Sequence, residues 1–141
     1  MVRKPDNSTS GLPAPTPAEL RILQYLWEHG PSTVRAVHLG LYDPFDTAYT
    51  TVLKQMQIMH EKGLLHRDSS NRAHVYKPTR AREQVQKNLL KDFVSRVYQG
   101  SSARLVLQAL GTSTPASADE LDQIREFLDS LEADLRKENK P

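Results

Sequence analysis

The chain has 141 residues, 38% hydrophobic and 6% aromatic, enough for one ordinary domain or two small ones with a lean core that oligomerisation would complete. It has no cysteine, so disulfides, thiolate metal sites and cysteine nucleophiles are excluded. The net charge of +2 is unevenly spread: Arg67 to Arg82 holds five bases against one acid, and Asp119 to Lys140 holds eight acids against four bases. A basic middle suits a polyanion, and the acidic end is kept away from it. No apolar run approaches the roughly 20 residues that span a bilayer. Met1 to Pro15 lacks the apolar centre of a secretory signal. The expected location is therefore the cytoplasm, without membrane insertion.

Residues 1–15, with three prolines among Ser, Thr, Asn and Gly, read as a disordered tail in which Arg3 and Lys4 can brush phosphates. Thr16-Pro17-Ala18-Glu19 then opens a helix, with a capping threonine, proline at the first helical position and glutamate closing a capping box. Leu20, Leu23 and Trp27 follow at i, i+3, i+7, flanked by Ile22 and Leu26, and Gly30-Pro31 ends the run. Within that stripe Trp27 is expected in the core rather than as a stacking platform. Ser32-Thr33 can cap a second, short helix through Val34, Val37 and Leu41, broken by the turn Tyr42-Asp43-Pro44-Phe45. Asp46 is the expected cap of a third helix, whose packed face is Val52, Met56 and Met59 and whose front is rich in hydroxyls. Gly63 stops it.

Leu64 to Arg67 and Ala73 to Lys77 are short strand candidates around the turn residues Asp68-Ser69-Ser70-Asn71. Three helices followed by such a hairpin match a winged helix-turn-helix. Val75 is expected to face the core, and Arg67, Arg72 and Lys77 to face solvent or phosphate. In the third helix the hydroxyls of Thr47, Thr50 and Thr51 can bond phosphates or base edges, and Lys54 can reach a phosphate or a guanine.

From Arg80 the pattern is helical again. Val85, Leu89, Phe93 and Val97 step by four, and Tyr98-Gln99-Gly100 ends the run. A second helix starts at Ser101 or Ser102, passes Leu105 and Leu110, and stops at Gly111; Thr112 to Ala116 forms a loop. Ser117-Ala118-Asp119-Glu120 is a further capping box. Leu121, Ile124, Leu128, Leu131 and Leu135 behind it form a heptad seam of about two repeats, too short for a free coiled coil. These helices carry more apolar surface than they can hide among themselves. They would either cover a second copy or fold back on the first domain, and paired half-site binding favours the homodimer. The expected interface residues are Leu89, Phe93, Val97, Leu105, Leu110, Leu121, Ile124, Leu128 and Leu131.

The histidines His29, His38, His60, His66 and His74 show no HxxxH or HxH spacing and read as surface or edge residues rather than metal ligands. No glycine-rich phosphate loop, GxSxG or HExxH is present, so neither an enzyme nor a cofactor is expected. Two alternatives stand beside a DNA-binding repressor: a winged helix that binds a partner protein, and a repressor that senses a ligand or metal directly.

The chain resembles the BlaI/MecI/CopY family of bacterial winged-helix repressors. Thr16-Pro17-Ala18-Glu19 and Leu26-Trp27 look like its first helix. Ala48-Tyr49-Thr50-Thr51-Val52 and Glu61-Lys62-Gly63-Leu64 are similar to its recognition helix and exit, and Arg72-Ala73-His74-Val75-Tyr76 with Pro78 to its wing. Phe93, Tyr98-Gln99-Gly100-Ser101 and the run Leu105 to Leu110 resemble its dimerisation helices. The resemblance covers Thr16 to about Leu135. It implies a homodimer on an inverted-repeat operator of double-stranded DNA, often of TACA/TGTA type. In several members a membrane sensor with a metalloprotease domain triggers cleavage between the dimerisation helices and so relieves repression. By matched position it implies Tyr49, Thr50, Thr51 and Lys54 as helix contacts and Arg72 as the wing contact. The chain departs from the family at three places. It lacks the cysteine pairs of the copper-responsive members. Gln108-Ala109 stands near the asparagine-phenylalanine cleavage pair, and Ile58 stands where the recognition helix commonly has arginine.

Together these readings give an α+β, mostly α protein: a tail over 1–15, a winged helix-turn-helix DNA-binding domain over 16–79 and a three-helix C-terminal dimerisation domain over 80–138.

Overall fold

The computed structural model describes residues 13–42, 46–112 and 115–139. The expected tail up to Leu12, with Arg3 and Lys4, the residues Asp43-Pro44-Phe45 of the first turn, and Ser113 and Thr114 of the later loop lie outside them. The described chain is mostly helical with one small antiparallel sheet. Helices α1 (Pro17–His29), α2 (Val34–Leu41) and α3 (Tyr49–Glu61) are accompanied by strands β1 (Ser32–Thr33), β2 (Leu65–Asp68) and β3 (Val75–Pro78). Helices α4 (Arg82–Val97), α5 (Ser102–Thr112) and α6 (Ala118–Glu138) follow. Contacts divide the chain into two compact units, Met1–Asp92 and Phe93–Pro141.

The start of α1 follows from its sequence. The Thr16 hydroxyl accepts from the Glu19 N–H at 3.2 Å while Glu19 Oε1 accepts from the Thr16 N–H at 3.0 Å, the reciprocal pair of a capping box. Glu19 does more than cap. Its other oxygen accepts from Lys62 Nζ at 2.7 Å, and Lys62 is the C-cap of α3, so one buried carboxylate ties the start of α1 to the end of α3. Burial alone would raise the Glu19 pKa. The hydrogen bond from Lys62, those from Thr16 and the lysine charge outweigh it and hold the carboxyl below its ordinary value. The unfolded chain therefore binds this proton more readily, so the stabilisation is complete above the ordinary glutamate range and fades as pH falls through the folded value. Glu19→Gln should cost roughly 1–3 kcal/mol at neutral pH. Denaturation of both forms between pH 7 and pH 3 should show the gap closing with acid; a gap independent of pH would refute the assignment.

The core of the first unit joins Ile22, Leu23 and Leu26 of α1, Val34 and Val37 of α2, Val52, Met56 and Met59 of α3, and Leu64, Leu65 and Tyr76 from the sheet region. The stripes expected in α2 and α3 are thus the buried ones, with Leu41 partly buried at the edge; in α1 the buried face is Ile22, Leu23 and Leu26, and Leu20 is only half-buried. Trp27 is also at the edge of that core, and its indole N–H donates to the Arg80 carbonyl at 3.0 Å. Gly40 is required by close approach: a Cβ there would lie 2.6 Å from the Tyr25 ring. The exit of α3 is a Schellman motif. Gly63 has φ +87°, its N–H donates to the His60 carbonyl and the Leu64 N–H to the Met59 carbonyl.

The sheet holds three strands in the order β1-β3-β2, and its first strand was not expected. Ser32 and Thr33 pair with Tyr76 and Val75 while Thr33 also caps α2 through its hydroxyl. This pairing makes β3 the central strand, and its register against β2 gives the wing residues a facing that differs from the expected one. Tyr76, 1% exposed, is the core residue of β3, and Val75 lies half-buried on the other face. Directly paired residues share a face, so Arg67, opposite Tyr76, stands on the core side and is half-buried rather than turned to solvent.

In the second unit the Ser117 capping box begins α6, and Ser101 accepts from the Arg104 N–H at the start of α5. The turn between α4 and α5 uses two left-handed residues, Gln99 at φ +54° and Gly100 at φ +86°. No described residue of α5 or α6 is buried.

Candidate nucleic-acid interface

Helix α3 presents two faces set by its 3.6-residue period. Val52, Met56 and Met59 are fully buried. The opposite face is exposed and carries Thr50, Thr51, Lys54, Gln57, Ile58 and Glu61. Of the residues expected to contact DNA, Thr50, Thr51 and Lys54 fall together on this outward face. Tyr49, 37% exposed, stands at the first turn on the side towards α2. Thr47 precedes the helix and is half-buried. Asp46 does not cap α3: the N-cap is Ala48, which has no side chain to offer, and no side-chain cap hydrogen bond is made. The helix entrance is held from α2 instead. His38, 7% exposed, places Nε2 2.7 Å from the Thr47 carbonyl oxygen, and its ring meets Tyr49 edge-on at 6.1 Å. Arg35, one turn earlier on α2, sets its guanidinium 5.3 Å from the centre of the Tyr49 ring.

The wing supplies a second set of groups. The Ser70 N–H donates to Asp68 Oδ1 at 2.9 Å, an Asx-turn that shapes the loop. Hydrogen bonds from the Ser70 backbone and side chain, outweighing a slight effect of burial and helped by His66 and Lys77, hold the Asp68 carboxyl below its usual range. Arg72 is exposed beyond this turn, as is Lys77 on β3. The base of the wing is closed by Thr79, whose N–H donates to the Leu64 carbonyl and whose hydroxyl donates to the Gly63 carbonyl.

Such a surface offers hydroxyl, amide and ammonium groups from one helix face and a guanidinium from a hairpin tip. Threonine and lysine reach phosphates, and Gln57 has the paired donor and acceptor that match an adenine edge. Gln57, at i+3 from Lys54 and i+7 from Thr50, shares this exposed face without being among the residues expected to contact DNA. His38 was misread as a surface or edge residue. Its partner is a backbone carbonyl that sequence spacing does not identify. His29, His66 and His74 are exposed as expected, and the half-buried His60 directs Nδ1 to the Leu65 carbonyl. Among the described residues no group of three or more His, Cys, Asp or Glu is placed to hold a metal.

The interface residues expected in the second half sit as follows. Leu89, Leu105, Leu121 and Ile124 are half-buried, whereas Phe93, Val97, Leu110, Leu128 and Leu131 are 43–55% exposed. Leu107, Phe127 and Leu135 are exposed as well.

Residues 15–130 match the family model described as Penicillinase repressor. The chain is 33% identical over 116 residues to "Transcriptional regulator BlaI" of Mycobacterium tuberculosis, in strains CDC 1551 / Oshkosh and H37Rv alike; the match spans 82% of this chain and 83% of that protein. Among solved structures, the transcriptional regulator Tm0710 from Thermotoga maritima gives a TM-score of 0.46 at 19% identity, covering 89% of this chain and 80% of that one.

Proposed function

We propose that this chain, which belongs to the penicillinase repressor family of DNA-binding transcriptional repressors, acts as a homodimer that occupies an inverted-repeat operator and blocks transcription by occlusion. Two copies of α3 enter successive major grooves, and the wings grip the flanking backbone. The observation that carries this reading is the division of α3 into a fully buried apolar face and an exposed polar one bearing Thr50, Thr51, Lys54 and Gln57. Arg72 at the wing tip supports it, as does the uncovered apolar surface of α5 and α6. The site residues are Thr47, Tyr49, Thr50, Thr51 and Lys54 at the helix, with Arg72 on the phosphate backbone and Arg67 a weaker, half-buried contributor. The protein works in the cytoplasm; no helix among the described residues is long and apolar enough to cross a membrane. The family resemblance adds a membrane sensor protease, or another signal, as what relieves repression; Gln108-Ala109 in α5 departs from the family's asparagine-phenylalanine cleavage pair, so no cut is assigned to that bond.

Thr51→Ala and Arg72→Ala separate the two kinds of contact. Thr51→Ala should weaken the preferred duplex about three- to tenfold and leave random DNA nearly unaffected. Arg72→Ala should weaken both and lower the slope of log affinity against log salt by about one. Gel-shift titrations at several salt concentrations measure both. Unchanged affinity in both variants would sink the reading, and a chain without salt-dependent DNA affinity would be a protein-interaction module.

A further inference from the structure

The entrance of α3 has an unusual support. Helix N-termini leave N–H groups unsatisfied and are commonly fixed by a side-chain cap, and Ala48 provides none. The chain just before it is held by a side chain from another helix. His38 is buried, and its Nε2 lies 2.7 Å from the Thr47 carbonyl oxygen. A carbonyl only accepts, so Nε2 carries the proton. The same ring packs edge-on against Tyr49, and Arg35 stacks its guanidinium against that tyrosine. Thr47 and Tyr49 therefore take their positions from α2 through two side chains on successive turns.

We propose that His38 is the positioning residue of the recognition helix. Its Nε2–H fixes the Thr47 carbonyl, and its ring sets Tyr49, so that the first turn of α3 enters the groove at one angle and depth. The inference rests on the reading of α3 as the helix that reads DNA. Base readout tolerates errors well under an ångström, whereas phosphate attraction is long-ranged and tolerant of orientation. Loss of His38 thus erodes discrimination between sequences more than it erodes affinity for DNA in general. His38→Gln retains an amide N–H able to reach the carbonyl; His38→Leu keeps the bulk without the donor.

The test uses the full-length chain and two duplexes: one selected by the wild-type protein from a randomised library, and a scrambled version of it. With His38→Leu the ratio of affinities for the two should fall about five- to tenfold. Binding to the scrambled duplex and its salt slope should stay within about twofold. His38→Gln should recover most of the ratio. Thermal melts establish that each variant is folded. A ratio unchanged in His38→Leu, an equal loss on both duplexes, or no recovery in a folded His38→Gln would each overturn the proposal. Ring 15N shifts of the wild-type chain need no variant: the Nε2–H tautomer is expected, and the Nδ1–H tautomer would overturn it. Failure of the wild type to select any duplex would instead refute the parent reading of α3.

Discussion

Leu128→Asp combined with Leu131→Asp should leave the chain monomeric and lower its affinity for an inverted-repeat duplex by about 10²- to 10⁴-fold, the range set by losing the second, linked contact. The two leucines are neighbours on the seam of α6 and are 49% and 44% exposed in the single chain. Nothing in α5 or α6 is buried, so the apolar stripes of both helices lack a core of their own. Apolar surface of that extent marks an interaction site and supports the proposed homodimer. Aspartates there would bring charge into the proposed interface without removing a buried side chain from the single chain. Helicity and the melting of the first unit should therefore be unaffected, and so should binding to a duplex carrying one half-site. Sedimentation equilibrium reads the oligomeric state, and Asp129→Ala, also exposed on α6, is the control. A double variant that still sediments as a dimer, or a wild-type chain that is monomeric, would remove the dimer from the proposal.

Met56→Ala should destabilise the first unit by about 2–5 kcal/mol, a large part of the stability a small domain possesses. Met56 is fully buried with Val52 and Met59 on the inner face of α3, in a core that also includes residues of α1, α2 and the wing. Truncation removes dispersion contacts and leaves a cavity that rigid helices fill poorly. The melting temperature should fall by more than about 8 °C. Ile58→Ala, on the outward face of the same helix and 38% exposed, should shift stability by no more than about 0.5 kcal/mol. Calorimetric melts of the two variants compare the inner and outer faces directly. Equal shifts would mean that α3 is not anchored as described.

The sequence by itself determined every helix of the described chain. Caps and periodicity are local: Thr16 with Glu19, Ser117 with Glu120, and the i, i+3, i+4 stripes act within one or two turns, so spacing alone reveals them. The outward face of α3 was legible for the same reason, since burial of Val52, Met56 and Met59 forces Thr50, Thr51 and Lys54 to the other side. Only the tertiary structure decided what depends on pairing across distance. Two residues, Ser32 and Thr33, are too few to announce a strand. They nonetheless pair with β3, and the register of β2 against β3 sets Tyr76 rather than Val75 into the core with Arg67 on the same side, because side chains on a strand alternate and one step of register exchanges the faces. Likewise Asp46 had the right chemistry for a cap, yet α3 has no side-chain cap, and the fold instead fixes the preceding Thr47 carbonyl with His38 from another helix. Glu19 could be read as a cap but not as the partner of Lys62, 43 positions away. Such contacts arise when the helices pack, and their geometry is a property of the packed core rather than of any segment.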